Sequence, residues 1–410
     1  MKIIYSIHQF FPQYYTGTER YLLNLATMMQ KFGHEVSIIT YNPDTNLNDY
    51  TRQGDVYITK YSYHHIPVTG VKLVNENEYV SFNVKRSPID NYVTEFLKQE
   101  KPDIFHITHP MRMTSAFWVA KGLKIKTVMT LTDYWMMCGK GILLRNNNSP
   151  CVSPDDGNNC KKFCYQHLES KVLRERVHEA KKIFKSADAL IASAQYLVEL
   201  FNYNQYDTSK LHLIRHGFNY FDNYKIETNK RKNVFTIVST GSLLPHKGVH
   251  LLIEAFKKIK NKNLKLKIYG TTYGNSSYMD FLVKLVGKDT RISFEGAYSI
   301  ENTSGLHQDA DLVVQPSMWY ETYPLVCVAS LAYGVPIVVP DMTGASELVE
   351  QGKNGYIFKF GDANSLFEQL SLAISDQLKY NQSITYHQTV ESEAVSTEAV
   401  YNKLMTNQHA

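Results

Sequence analysis

Long apolar runs are scarce in this chain. A helix that spans a bilayer needs about 20 uninterrupted apolar residues, and the most apolar segment, WYETYPLVCVASLAYGVPIVVP from Trp319 to Pro340, is cut by Pro324, Gly334 and Pro336. Those breaks exclude one straight helix. Near the start, Ile3 to Ile7 is apolar only as far as His8, too short for the apolar region of a secretory signal; the expectation is a cytoplasmic protein. Charge of one sign is scarce too. Charged residues make up 20% of the 410 and the formal net charge is +5, which suits an anionic ligand or a membrane surface. It is too mild to imply nucleic acid, and basic-aromatic interleaving is missing. Two phosphate fingerprints are absent as well. Without G-x-G-x-x-G a dinucleotide enzyme is disfavoured, and GSLLPHKG lacks the G-K-[ST] ending of a P-loop.

What is present follows a repeated grammar. With 43% hydrophobic residues, a chain of this length can bury two cores of ordinary size. MKIIYSI reads as a strand, HQFFPQYYTGT as a loop, ERYLLNLATMMQKFGHEV as an amphipathic helix closed by Gly33, and VSIIT as the next strand. The same order returns in NVFTIVST, GSLLPHKG, VHLLIEAFKKIK and LKLKIYG. Further strands are expected at Asp103–Thr108, Thr127–Leu131 and Ala189–Ser193, then at Arg291–Phe294, Asp311–Gln315 and Val335–Val339. Strands alternating with helices predict parallel sheets covered on both faces. The expected fold is α/β, with two doubly wound, Rossmann-like domains facing a central cleft. Residues 1–218 would form the first domain and 219–383 the second, followed by a short amphipathic helix within 384–410.

Within Trp319 to Pro340 the pattern is loop, helix from Leu325 to Tyr333, and strand, with Gly334 ending the helix. Glu321, the one acid of that stretch, lies just upstream of the helix N-terminus, where an anionic ligand is well held. Lys247, on a glycine loop entering a helix, is a second positive feature. Together they suit a diphosphate; the plain alternative for Lys247 is a solvated loop lysine.

TGTERYLLNLATMMQKFGHEV, TGSLLPHKGVHLLIEAFKKI and PSMWYETYPLVCVASLAYGVPIVVPDMTGASELVEQGKNGYIF resemble, in order and spacing, the retaining glycosyltransferases of family 4, which have the GT-B fold. The resemblance covers nearly the whole chain, and it implies that 1–218 is the N-terminal, acceptor-side domain, 219–383 the C-terminal, nucleotide-sugar domain and 384–410 a helix packing back across both. It implies sugar transfer from a nucleotide-sugar donor, UDP- or GDP-linked, to a glycan, lipid-linked or other acceptor. Retention of configuration, no catalytic metal and a place in cell-surface polysaccharide or glycoconjugate synthesis are implied with it. On the matching positions, Glu321 would contact donor-sugar hydroxyls, and Thr322, Tyr323, Pro324, Leu325 and Val326 would meet sugar and phosphates at the helix N-terminus. Lys247 would neutralise the departing diphosphate, beside Gly241 and Ser242 of its loop. Gly17 would let the N-terminal loop approach the donor, and Tyr298 lies where the nucleotide base sits.

Three positions depart from the family pattern. Ala329 stands where a second glutamate normally binds ribose, Ser242 where an arginine is usual, and Thr132-Asp133 where many members have His-Asp. Asp133 is then a candidate contact for the sugar or acceptor, with an N-cap role as the alternative. The departures keep alive a rival from another class, a non-catalytic GT-B partner that binds or stabilises another transferase. A nucleotide-sugar epimerase would need acid and base residues that are not located.

Cys138, Cys151, Cys160 and Cys164 fall in one polar loop, 138–164. A reducing compartment argues against disulfides. Four thiolates could close a structural zinc site, although paired C-x2-C knuckles are lacking; an iron–sulfur cluster, disulfides and free thiols are the alternatives. Some family members carry a similar insertion, and its place after an N-terminal strand puts it on the acceptor side. His106 and His109 read as ordinary cleft or core histidines, since i, i+3 positions on a strand end point to opposite faces. Lys171, Arg174, Arg176, Lys181, Lys182 and Lys185 fall along one helix. That face is either solvated or, for a lipid-linked acceptor, rests peripherally on the inner face of the plasma membrane.

Overall fold

The computed structural model describes residues 1–42, 49–76, 82, 84–85, 87–219, 234–272, 274, 276–297, 303–376, 386 and 388–406. They divide into two compact units, Met1–Arg215 with Val390–Ala410, and His216–Thr389.

The strands of the first unit are β1 (Lys2–Ile7), β2 (Glu35–Tyr41), β3 (Thr51–Gln53), β4 (Val56–Tyr63), β5 (Ile66–Leu73), β6 (Ile104–Ile107), β7 (Lys126–Leu131), β8 (Ala189–Ala192) and β9 (Leu211–Leu213). They form one sheet in the order β3-β4-β5-β2-β1-β6-β7-β8-β9. Its helices before the crossing to the second unit are α1 (Gly17–Lys31), α2 (Ile89–Glu100), α3 (Thr114–Gly122), α4 (Asn158–Phe163), α5 (Ser170–Ser186) and α6 (Gln195–Tyr203). Ile3, Ile4, Tyr5 and Ile7 of β1 are all buried, as a parallel strand covered on both faces requires. On α1, Leu22, Leu25, Ala26 and Met29 supply the buried stripe at helical spacing.

The sheet is not parallel throughout, as the alternating pattern had predicted. β3 pairs with β4 and β4 with β5 in antiparallel register, and β5 then joins β2 in parallel. The physical reason is two tight reversals. Gly54 turns at φ +61°, and His64 and His65 both take positive φ, 47° and 63°, the backbone signature of a two-residue hairpin turn.

The second unit holds β10 (Phe235–Thr240), β11 (Leu264–Tyr269), β12 (Ile292–Gly296), β13 (Leu312–Val314), β14 (Ile337–Pro340) and β15 (Gly355–Phe358), with α7 (Val249–Lys258), α8 (Ser276–Val286), α9 (Thr303–Asp309), α10 (Leu325–Ala332) and α11 (Ala363–Ser375). Its sheet runs β12-β11-β10-β13-β14-β15, parallel at every pairing. Gly334, at φ +73°, ends α10. The parallel strand order reverses between β1 and β6 in the first sheet and between β10 and β13 in the second. The carboxyl ends of strands at such a reversal are where open α/β sheets hold ligands.

Helix α12 (Val390–Thr406) belongs to the first unit. Tyr401 is fully buried, and its hydroxyl lies 3.2 Å from that of Tyr5 and against Nδ1 of His106. His106 is enclosed on the far side by Thr130 Oγ1 at 2.7 Å, and burial pulls its pKa down to about 3, so it is a neutral core histidine. No helix among the described residues is long and apolar enough to cross a membrane.

Candidate active site

In the second unit, a shallow depression opens at the reversal between β10 and β13. Thr240, Gly241, Ser242 and Lys247 line one side, and Gln315 and Pro316 the other. The loop after β10 is tied to the loop after β13 by Met318 N donating to His246 O at 2.8 Å. Gly248, at φ +69°, permits this approach. A Cβ there would lie 1.9 Å from Pro316 O, inside any tolerable contact.

Glu321 sits in the second of these loops, 5% exposed. Its Oε1 alone accepts four hydrogen bonds: from Lys247 Nζ, Ser317 Oγ and Trp319 Nε1, each at 2.7 Å, and from Gln315 Nε2 at 3.2 Å. Burial pushes this carboxyl up, but the charge and hydrogen bond of Lys247, then Ser317 and Trp319, outweigh it and hold the pKa below the usual carboxylate value. The group is therefore ionised, with Oε2 unoccupied by any partner among the described residues. Lys247 Nζ also lies 4.8 Å from the centroid of the Trp319 ring. Trp319 thus touches both charged groups, by an N–H bond to one and by its π face to the other.

Downstream, Thr322 and Tyr323 are buried, and the Tyr323 hydroxyl meets that of Tyr386 at 3.2 Å. Pro324 caps α10 in an extended conformation. The amides of Leu325 and Val326, at the head of the helix, have no protein acceptor among the described residues. Such amides, aligned with the helix dipole, suit an anion. Ala329 is buried one turn further on.

In the first unit, the strand ends at the other reversal also converge. His8 follows β1, His109 follows β6 and Asp133 follows β7. The rings of His8 and His109 are 4.0 Å apart, and His109 Nε2 lies 3.0 Å from Asp133 Oδ2. Gly17 opens α1, where a Cβ would meet nothing within 4 Å; the protein itself does not demand glycine there.

A model described as "Glycosyltransferase Family 4" matches residues 15–220, half of the chain, and one described as "Glycosyl transferases group 1" matches residues 221–390. The chain belongs to glycosyltransferase family 4. Among characterised relatives of this family 4 chain, the lipopolysaccharide 1,2-N-acetylglucosaminetransferase of Salmonella typhimurium is 24% identical over 47% of the chain and 55% of its own length. The capsular polysaccharide biosynthesis glycosyltransferase CapM of Staphylococcus aureus is 26% identical over 38% of the chain and 42% of its own. The match thus spans about half of these relatives. Whole-chain structural similarity is broader: Anabaena Alr3699/HepE in complex with UDP superposes with a TM-score of 0.68 at 18% identity, covering 100% of both chains. The fold is accordingly GT-B, built from the two Rossmann-like units described above.

Sequence reasoning brought Lys247 and Glu321 to one site but missed Trp319, Gln315 and Ser317, which fix the glutamate. Only Trp319, two residues from the acid in WYE, carried a signal. Tyr298 lies outside the described residues.

The four loop cysteines require a correction. None is in a disulfide, and among the described residues no group of three or more His, Cys, Asp or Glu side chains is placed to hold a metal ion. The loop is instead knitted by its backbone, with Cys151 N donating to Leu143 O at 2.8 Å and Asn146 N to Phe163 O at 3.3 Å. Burial pushes the thiols of Cys138 and Cys164 up and that of Cys160 up to about 12, so they stay protonated.

The basic helix is corrected at one position, while Lys171, Arg174, Lys182 and Lys185 are exposed. Arg176 on α5 is not on an exposed face. It is 4% exposed and donates to the carbonyls of Phe82 and Trp135, while Arg174 pairs with Asp156 at 3.2 Å and Lys182 with Glu179 at 2.7 Å.

Proposed function

We propose that this chain is a retaining glycosyltransferase that moves a sugar from a nucleotide-sugar donor to a hydroxyl of a glycan or lipid-linked acceptor, in building a cell-surface polysaccharide or glycoconjugate. The observation that carries it is the division of labour on Glu321. One oxygen is saturated by Lys247, Gln315, Ser317 and Trp319, leaving the other to accept from sugar hydroxyls. Lys247 and the amides of Leu325 and Val326 supply positive charge to the diphosphate, which grows more negative as the glycosidic bond breaks. Gly241 and Ser242 line the phosphate side, and Thr322, Tyr323 and Pro324 hold the helix head in place. Gly17, at the open head of α1, leaves room for a ligand. Asp133 faces the acceptor. The UDP bound to Alr3699/HepE supports a nucleotide donor, and the polysaccharide and lipopolysaccharide names of the relatives support the acceptor class.

Ala329 and Ser242 favour a second reading, a non-catalytic partner of another transferase, because the first cannot hydrogen-bond ribose and the second carries no charge. Loss of one charge-assisted bond costs about 1.5–3 kcal/mol, which weakens a donor site without abolishing it. Calorimetric titration with UDP, GDP and ADP separates the two. Binding of one nucleotide in the micromolar range, weakened by Lys247→Ala, is the expected result. Silence with all three would favour the partner.

A further inference from the structure

The polar row at the first unit's strand reversal gives its two histidines different standing from the core histidine His106. Order matters along this row. His109 Nδ1 accepts from Met111 N–H at 3.2 Å, which leaves Nε2 as the protonated nitrogen, and Nε2–H donates to Asp133 Oδ2 at 3.0 Å. The ring is only 3% exposed on its side chain, whereas Asp133 is 27% exposed. His109 is therefore fully used within the protein and Asp133 is the end of the row that meets solvent.

The carboxylate's two oxygens have separate jobs. Oδ1 accepts Trp135 N–H at 2.7 Å and holds the turn that follows β7. Oδ2 is aimed by His109. An ionised carboxylate offers about four acceptor positions, and those two bonds fill half of them. On the Oδ2 side the wall is Gly141, the turn that opens the cysteine loop. It stands at φ +73°, and a Cβ there would lie 2.7 Å from Oδ2, so the loop backbone approaches the carboxylate as closely as only glycine permits.

Behind His109 the row is also built. His8 stacks on it at 4.0 Å. Glu19, with no exposed surface, lies 3.7 Å from His8 Nε2 and is itself fixed by Gln9 Nε2 at 3.1 Å and Thr16 Oγ1 at 2.6 Å. Burial, then the neighbouring His109 and Arg112, hold the His8 pKa well below its usual value, so the stacked rings do not repel as two cations. His8 Nδ1 is buried without a partner among the described residues. Glu19, His8 and His109, from the first turn of α1 and two strand ends, thus form a row that ends on one partly open carboxylate, Asp133, at the reversal where ligands settle.

We propose that Asp133 receives a hydroxyl of a saccharide acceptor, and that His109 is the positioning residue that aims its Oδ2 at that hydroxyl across the Gly141 turn. This rests on the transferase reading and assigns its acceptor contact to the first unit alone. A hydroxyl donating to the carboxylate makes a charge-assisted bond, so its loss lowers saccharide affinity about tenfold or more.

The test uses the full chain and the methyl glycosides of glucose, galactose, mannose and N-acetylglucosamine as probes, read by saturation-transfer difference NMR. The wild type is expected to contact at least one glycoside, Asp133→Asn and His109→Phe to weaken that contact about tenfold, and His109→Gln, which keeps an N–H donor, to restore part of it. Long-range proton–nitrogen spectra of the wild type should show His109 protonated on Nε2 only, a readout that needs no variant to fold. Contact with none of the glycosides, equal contact in all variants, or a His109 ring protonated on Nδ1 overturns the proposal. Nucleotide titration of the same samples distinguishes the failures: nucleotide bound with saccharide contact unaffected sinks this inference alone, and no nucleotide bound by the wild type sinks the transferase reading with it.

Discussion

Lys247 and Glu321 meet at 2.7 Å through a single carboxylate oxygen, with side chains 22% and 7% exposed. A pair this enclosed is poor evidence of stability as a unit, but removing one member strands the other. The cost of that is about 3–5 kcal/mol.

Lys247→Ala should therefore destabilise the second unit, with a pH dependence of known sign. In the wild type the folded carboxyl titrates below its ordinary value of 4.5. Its contribution is present above that pH and is lost as pH falls through the lower folded value. Burial is the largest single influence on this carboxyl, and without the charge and hydrogen bond of Lys247 to oppose it the folded pKa rises. The variant's deficit should then be largest at pH 7 and shrink towards pH 5. Urea unfolding at the two values checks it, and a deficit that does not change with pH would contradict the assignment.

Two glycines should separate structure from ligand contact. Gly248→Ala places a Cβ 1.9 Å from Pro316 O at φ +69°, so a loss of about 1–3 kcal/mol is expected. Gly17→Ala meets open space and should leave stability within about 0.5 kcal/mol. Under the proposed function it should lower donor turnover all the same. Thermal melts of both, beside a donor-consumption assay, decide the matter; a destabilised Gly17→Ala would place the demand for glycine inside the protein.

Trp319→Phe keeps an aromatic face for Lys247 but removes the N–H bonded to Glu321. The expected loss is about 1.5–3 kcal/mol, measured by denaturant unfolding. The chain has three tryptophans, and Trp319 is the one in the second unit, the others being Trp118 and Trp135. A nucleotide bound there should quench the fluorescence that the variant lacks; quenching that survives Trp319→Phe would move the binding elsewhere.

The buried thiols should be inert. With Cys160 pushed up to about 12 and Cys327 higher still by burial, thiolate is scarce at pH 8. Alkylation by iodoacetamide should be slow in the native protein and fast in urea. Equal rates in the two states would mean that the loop opens readily.

Much of this was legible in the chain because the decisive signals were local. The strand at MKIIYSI, the stripe Leu22, Leu25, Ala26, Met29 and the stop at Gly334 each depend on spacing a few residues wide, and all appear in the fold. Of the two hairpins, the β3–β4 reversal does carry a turn signal, Gly54-Asp55, but on a first strand only three residues long, whereas the β4–β5 turn at His64-His65 gives no glycine or asparagine signal. Glu321 was legible from its isolation among aromatics. The four donors to one oxygen were not, since Gln315, Ser317 and Trp319 look like ordinary loop residues until the chain folds. Arg176 read as one more basic residue on a helix, yet the packing of Phe82 and Trp135 buries it. His109 read as an ordinary cleft or core histidine, because its bond to Asp133 joins two strands that the sequence does not place side by side.

The hydroxyls of Tyr5 and Tyr401 pair across 396 positions, and Val390, Ala394, Val400 and Tyr401 share a core cluster with Ile3, Tyr5, Leu22 and Leu25. On a ribosome adding about 5–20 residues per second, β1 waits roughly 20–80 s for the helix that closes over it. The second unit, encoded without interruption between the two, has all its strands available sooner. The unit that supplies β1 is therefore completed last, and a chain cut before α12 would hold every strand of the second unit while the oldest strand of the first is still uncovered.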